Sequence, residues 1–237
     1  MAARTQSVEI YQYDVLSGTS VNIPNSGSIA TIAAGSLVRF AFRYEGGAAV
    51  TLSATDSAGA TYTVVQDTSL DSPSVAVIYK HNHPGGTSVV ITVTLSSSRS
   101  YIQAYGEVLS GSVGELDPLT GTYGTDSAIT PAQCTVTGVS GDCDLFMAAG
   151  TYSGSTWAGS GGSSRIPASD APSPPNYAAA FKQHFTGSGD KTIAITDPAG
   201  GAFRAIALAF LDDAGTGGGG GSSVGAAAHY YRTMRQA

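Results

Sequence analysis

LVRFAFRY, residues 37–44, decides how the rest of the chain is read. Val38, Phe40, Phe42 and Tyr44 alternate with Leu37, Arg39, Ala41 and Arg43. That period of two puts the large apolar side chains on one face and both arginines on the other, as in a strand with one face in a core. SVVITVTL, residues 88–95, repeats the signature, with Val89, Ile91, Val93 and Leu95 set against Ser88, Val90, Thr92 and Thr94. Between such runs stand EGGA, DSAGA, HPGGT and DPAGGA, rich in residues that tolerate positive φ and therefore turn the chain. Strands at this spacing predict an all-β, antiparallel β-sandwich of the jelly-roll or immunoglobulin-like kind.

The same runs recur. VAVIYK (75–80) matches YAAAFK (177–182), ITVT (91–94) matches IAIT (193–196), and YIQAYGEV (101–108) falls on FRAIALAF (203–210), each at an offset of 102. Upstream, AGSLVRFAF and SGDCDLFMA pair at an offset of 106, with Phe40 over Phe146. Self-similarity at a nearly fixed spacing predicts an internal duplication. The expected parts are a first copy over 1–110, a connector over 111–121, a second copy over 122–213, and a Gly-rich hinge and attachment arm over 214–237.

Composition sets the classes to exclude. Charged residues make up 12% and glycines number 31 of 237, which suits short strands and small-residue turns better than helices. A net charge of −6 argues against a nucleic-acid partner, since phosphate binding needs clustered Lys and Arg. The opening MAARTQSVEIYQYDV lacks an apolar signal region, and the longest apolar run, Ala205 to Leu211, is too short for a membrane helix. Folding in a cytoplasm is therefore expected, with no membrane insertion. In that compartment Cys134 and Cys143 are expected as two reduced buried thiols, a cross-strand disulfide being the alternative.

The order AGSLVRFAF, ATDSAGATYTVV, YKHNHPGGTSVVITVTLSSS, YIQAYGEVLSG resembles a β-sandwich module of phage structural proteins and bacterial extracellular proteins. Its cues, among them the D-S-x-G-x-x-Y turn of Asp56 to Tyr62, cover most of 25–111 and, more faintly, 130–211. The second copy departs at GSTWAGSGGSSRI, where the Asp-Ser-Ala-Gly turn is missing. The resemblance implies a fold rather than an activity.

Chemistry-bearing groups are few. His81 and His83 stand two apart, as metal ligands on one strand face would, but no third ligand is near and the reading is of exposed polar residues. Asp142 and Asp144 lack a calcium-loop ladder and read as the turn before a strand. GSGDKT at 187–192 lacks the Gly-Lys pair and the following helix of a phosphate loop. No catalytic residue, cofactor or metal is assigned. Tyr101, Gln103, Tyr105 and Glu107 share one strand face, against Phe203, Ala205, Ala207 and Ala209 at the matching positions of the second copy. Two readings stay open for this stripe: it packs against the other copy or another subunit, with Glu107 paired to Arg39 or Arg43, or it binds a glycan through ring stacking.

The end of the chain is built differently. Gly217 to Gly221 form a hinge, and Val224, Ala227, Ala228, Tyr231 and Met234 beyond it fall at helical intervals. Arg232 and Arg235 give this tail two positive charges and no acid. So short a segment orders only against a partner, so Tyr230, Tyr231, Arg232, Met234 and Arg235 are the expected partner-binding residues. The functional expectation is a non-catalytic virion protein that decorates a capsid or serves at the neck or tail. Its partners would be capsid or tail proteins and further copies of itself, with a trimer as the expected form. The alternative is a glycan-binding adhesion module for a host surface polysaccharide.

Overall fold

The structure, a computed structural model, describes residues 5–45, 50–66, 73–110, 119–125, 132–151, 157–166, 177–196 and 203–211. Among these the chain is all-β, with every pairing antiparallel and no helix. The first repeat contains β1 (Thr5–Ile23), β2 (Ile29–Ile32), β3 (Leu37–Glu45), β4 (Leu52–Asp56), β5 (Thr61–Gln66), β6 (Ser74–Lys80), β7 (Gly86–Val89) and β8 (Ile91–Ser110). The second contains β9 (Leu119–Thr125), β10 (Ala132–Val139), β11 (Cys143–Thr151), β12 (Ala158–Ser160), β13 (Ser164–Ile166), β14 (Ala178–Phe185), β15 (Gly189–Thr196) and β16 (Phe203–Leu211).

One long strand shapes the first repeat. The C-terminal half of β8 pairs with β3, its N-terminal half pairs with β4, and β3-β6-β5-β4 completes the ring, so this sheet closes into a barrel. β1 runs along both halves of β8, from Thr5 opposite Ser110 to Ile23 opposite Ile91, with bulges where β8 bends. In the second repeat the equivalents of the two halves of β8 are separate strands, and the pairings divide into β13-β14-β11-β16-β9 and β10-β15-β12. Strand for strand the pattern recurs: β11 lies between β14 and β16 as β3 lies between β6 and β8.

The alternation in SVVITVTL is realised: Val89, Ile91, Val93 and Leu95 are buried in the first core with Phe40, Phe42 and Tyr62. The second core gathers Leu145, Met147, Trp157, Phe181, Ile193 and Ile195 around Cys134 and Cys143. A third apolar layer joins the repeats, with Leu37, Ala41, Val75, Val77, Tyr79, Tyr105 and Leu109 packed on Phe146, Ile166, Ile206, Leu208 and Phe210. β3 therefore differs from its reading as a half-buried strand. Both faces are covered, and Arg39 and Arg43 are fully buried.

That joining layer also corrects the residue matches between the repeats. Phe40 lies in the first core whereas Phe146 lies in the joint, and Tyr105 faces the joint whereas Ala207 faces the second core. The residues of β16 that face the joint are Ile206, Leu208 and Phe210, one position away from those the constant offset selects. A slip of one residue exchanges the two faces of a strand. Both repeats alternate small and large apolar residues, so the sequence match stays high in the wrong register. Only ITVT over IAIT keeps its face, with Ile91, Val93, Ile193 and Ile195 all in a core.

Gly106 marks the tightest approach in the barrel wall: a Cβ there would lie 2.2 Å from the Arg39 carbonyl oxygen and 2.4 Å from the Phe40 Cβ. Gly106→Ala is expected to lower unfolding stability by about 3 kcal/mol through overpacking, measured by urea denaturation. An unchanged midpoint would mean that β3 and β8 are not this close.

Candidate functional site

The joint between the repeats concentrates the charge. Arg39 Nε and Nη2 both donate to Glu107 Oε1, at 3.0 and 2.6 Å, while Lys182 Nζ of the second repeat donates to Glu107 Oε2. The Arg39 guanidinium lies 4.9 Å from the centre of the Phe146 ring and 5.0 Å from that of Phe210. Such contacts with ring faces stabilise a desolvated cation. Asp144 Oδ2 stands 3.8 Å from Arg39 Nη2, an ion pair without a hydrogen bond, and its Oδ1 meets His184 Nδ1 at 3.0 Å. Arg39 Nη1 is buried and has no hydrogen-bond partner among the described residues.

A second tie lies farther along the same strands. Arg43 donates from Nη1 to the Tyr101 carbonyl and from Nη2 to the Thr151 carbonyl, each at 2.8 Å, and its guanidinium sits 5.1 Å from the centre of the Tyr177 ring. Gln103 Oε1 accepts the backbone N–H groups of Tyr177 and Ala178 at 2.8 and 3.2 Å. Gln103, Tyr105 and Glu107 are thus buried where β8 meets the second repeat, and only Tyr101 of that stripe is exposed, at 41%. Three of the four residues of the expected glycan stripe present no surface to a sugar. The β8 face they occupy is covered, and Glu107 is paired to Arg39. Tyr101 sits in a left-handed backbone conformation, φ 52°, with its ring edge-on to Tyr177 at 5.2 Å.

A third cluster closes one end of the barrel. Asp56 Oδ1 accepts the N–H groups of Ala58 and Ala60, both at 2.9 Å, which fixes the Asp-Ser-Ala-Gly turn. Asp56 Oδ2 accepts the Tyr62 hydroxyl at 2.9 Å and meets His83 Nε2 at 2.7 Å. His83 Nδ1 accepts the Gly85 N–H at 3.0 Å, so Nε2 carries the proton that Asp56 receives. Backbone bonds from His83 N–H to the Ser36 carbonyl and from Gly35 N–H to the His83 carbonyl add a third turn to the assembly.

Burial alone would raise the Asp56 carboxyl, yet the bonds from His83, the Ala60 amide and Tyr62 outweigh it and hold its pKa below the usual carboxylate value. Burial first, and then the Asp56 charge, hold the Tyr62 hydroxyl far above its ordinary value. With both imidazole nitrogens engaged, the cluster has no lone pair ready to take a proton from a nucleophile, and its chemistry is that of a fastener.

The structure corrects the reading of the histidines as exposed neighbours on one face. Asn82, at φ 49°, reverses the chain between them. His83 turns into the barrel end and is fully buried, while His81 stacks on Phe210, 6.2 Å between ring centres. Asp142 Oδ1 accepts the Gly187 N–H at 2.6 Å, as a residue at the turn before β11 would. In GSGDKT, Lys191 Nζ donates to the carbonyls of its own hairpin at Thr186 and Ser188. No group of three or more metal-ligating side chains is found among the described residues. Cys134 and Cys143 are buried thiols that form no disulfide, and burial pushes the Cys134 thiol up to about 12, which keeps it uncharged and unreactive. The expected partner residues Tyr230, Tyr231, Arg232, Met234 and Arg235 lie outside the described residues.

Sequence reasoning missed the Asp56–Tyr62–His83 cluster, although D-S-x-G-x-x-Y carried its signal: the carboxylate that caps the turn also reaches the tyrosine six residues on. The chain matches no family model, no curated protein and no solved structure.

Two outcomes test these clusters. Glu107→Ala leaves buried Arg39 without its partner and is expected to cost about 3–5 kcal/mol in urea denaturation. The double variant Arg39→Met/Glu107→Leu is expected to recover most of that loss, and a double variant no better than the single would refute the pairing. Asp56→Asn is expected to cost about 2–3 kcal/mol. Because the folded pKa of Asp56 is depressed, its contribution is complete above about pH 4 and is lost as pH falls further. The wild-type chain should therefore lose more stability than Asp56→Asn on acidification below that point.

Proposed function

We propose that this chain is a non-catalytic structural component of a phage particle, decorating the capsid or serving at the neck or tail. The observation that carries the reading is where the chain uses its clustered charges. Arg39, Arg43, Gln103, Glu107 and Lys182 fasten one repeat to the other, and Asp56, Tyr62 and His83 fasten three turns. A body stiffened in this way suits a mechanical part, and the D-S-x-G-x-x-Y resemblance points to the same setting.

In this reading the second repeat is a sandwich unit of the jelly-roll or immunoglobulin-like kind, while the first closes its corresponding strands into a barrel. The support for the sandwich is that the second core draws Cys134, Ile193 and Ile195 from one sheet and Leu145, Phe181 and Ala207 from another. The five glycines let the arm at 214–237 span an unfixed distance to a capsid or tail protein, which Tyr230, Tyr231, Arg232, Met234 and Arg235 would contact. Copies of the body associate with one another, with a trimer as the proposed form.

The test is incorporation. Particles purified from cells producing the tagged full-length chain are expected to carry it, while a chain ending at residue 213 is expected to be folded, soluble and left behind. Absence of the full-length chain from particles sinks the virion reading. Normal incorporation of the truncated chain sinks the arm as its anchor.

A further inference from the structure

The charged joint opens on one side into a cleft of about 270 Å³, lined by Arg39 and Leu109 of the first repeat and by Asp144, Ser164, Lys182 and His184, among others, of the second. That volume is near the lower limit of small-ligand sites and fits a single sugar ring better than a flat protein contact. We propose that this cleft binds a monosaccharide-sized carboxylate of the hexuronate class. The inference is independent of whether the chain belongs to a particle.

Three observations carry it. First, Arg39 is fully buried, yet its Nη1 has no hydrogen-bond partner among the described residues. A buried guanidinium that leaves donors unused costs free energy, and a ligand acceptor would recover it. Nε and Nη2 are committed to Glu107, and the rings of Phe146 and Phe210 cover the guanidinium, so the missing partner is an acceptor in the guanidinium plane. A carboxylate meets that requirement with a charge-assisted bond.

Second, the acid that lines the cleft does not fill the position. Asp144 Oδ2 stops 3.8 Å from Nη2, and its other oxygen is engaged by His184. Third, the rest of the lining mixes donors and acceptors as sugar hydroxyls need: the Ser164 hydroxyl, the Asp144 carboxylate, His184 and the partly exposed Lys182 ammonium. Lys182, paired with Glu107 but partly exposed, places its ammonium beside Arg39 in the lining. The site also explains why recognition would fall between the repeats, since neither repeat alone supplies both Arg39 and Lys182.

The experiment titrates the intact protein with sodium glucuronate, methyl glucoside and sodium glutamate in turn, following backbone amide shifts by NMR, and repeats the titrations with Ser164→Ala and His184→Ala, which lie at the rim. Glucuronate is expected to shift the amides around Leu109, Ser164 and His184 with saturation, and methyl glucoside to bind about tenfold more weakly or worse. Each rim variant is expected to weaken glucuronate severalfold while leaving the thermal midpoint within a degree or two. No saturable shift with glucuronate overturns the proposal. Equal response to methyl glucoside overturns the role of Arg39 and Lys182, and equal response to glutamate overturns the sugar class in favour of a site for any small carboxylate.

Discussion

Glu107 is the residue on which the arrangement of the two repeats turns. A carboxylate wholly removed from water is costly unless cations and donors replace its hydration. Here Arg39, from the neighbouring strand of the same repeat, meets one oxygen, and Lys182, from the other repeat, meets the second. A pair within one sheet would have served a solvent-facing strand. The third member commits the face of β8 to a partner sheet and makes it the floor of a joint. Buried ion pairs add little net stability over apolar residues of the same size, but they penalise the wrong register heavily, because a slipped strand leaves a charge alone in the interior.

The apolar layer around this group supplies the driving force the charges lack. Val75, Val77, Tyr79, Tyr105 and Leu109 would form an exposed apolar face on an isolated first repeat, and Ile206, Leu208 and Phe210 would do the same on the second. Each repeat has its own core, so the joint is an added layer that makes both faces of β3 and β11 interior. The runs of small residues in the second repeat follow from this. Ala178 and Ala180 of β14 face the joint, and Ala205, Ala207 and Ala209 of β16 face the core beneath it. At Gly150 a Cβ would meet the Arg43 side chain at 2.7 Å and Val75 at 2.8 Å, so the sheets approach most closely where the side chain is absent.

Strand character and the recurring order of the strands were legible in the sequence because both are carried by local periodicity. LVRFAFRY and SVVITVTL alternate whatever packs on them, and the repeat of their order survives any change of face. What periodicity cannot carry is which face meets water. Arg39 and Arg43 marked a solvated side by their type, and long-range pairing with Glu107, Tyr101 and Thr151 placed that side indoors. The shift of one residue between the repeats was invisible for the same reason, since Ala, Ile and Leu satisfy either face. The Asp56 cluster was half legible. Its turn stands in the sequence as D-S-x-G-x-x-Y, but His83 joins it from 27 residues away, through a reversal at Asn82 that no alternation rule anticipates.

The two repeats also secure their matching turns by different chemistry. In the first, a charged carboxylate holds the β4–β5 turn, a tyrosine and a histidine together, at one end of a closed barrel. In the second, the β12–β13 turn is held by the Ser163 hydroxyl, which accepts the Ser160 N–H and donates towards the Ala194 carbonyl, while Trp157 packs edge-on to Phe181 beneath it. Hydroxyl and indole do not titrate over the range in which a carboxylate does. Acid therefore acts unevenly on the molecule. It reaches the β4–β5 turn through Asp56, whereas the β12–β13 turn has no equivalent charge to lose, so the barrel end where Asp56, Tyr62 and His83 meet is expected to loosen before that turn does.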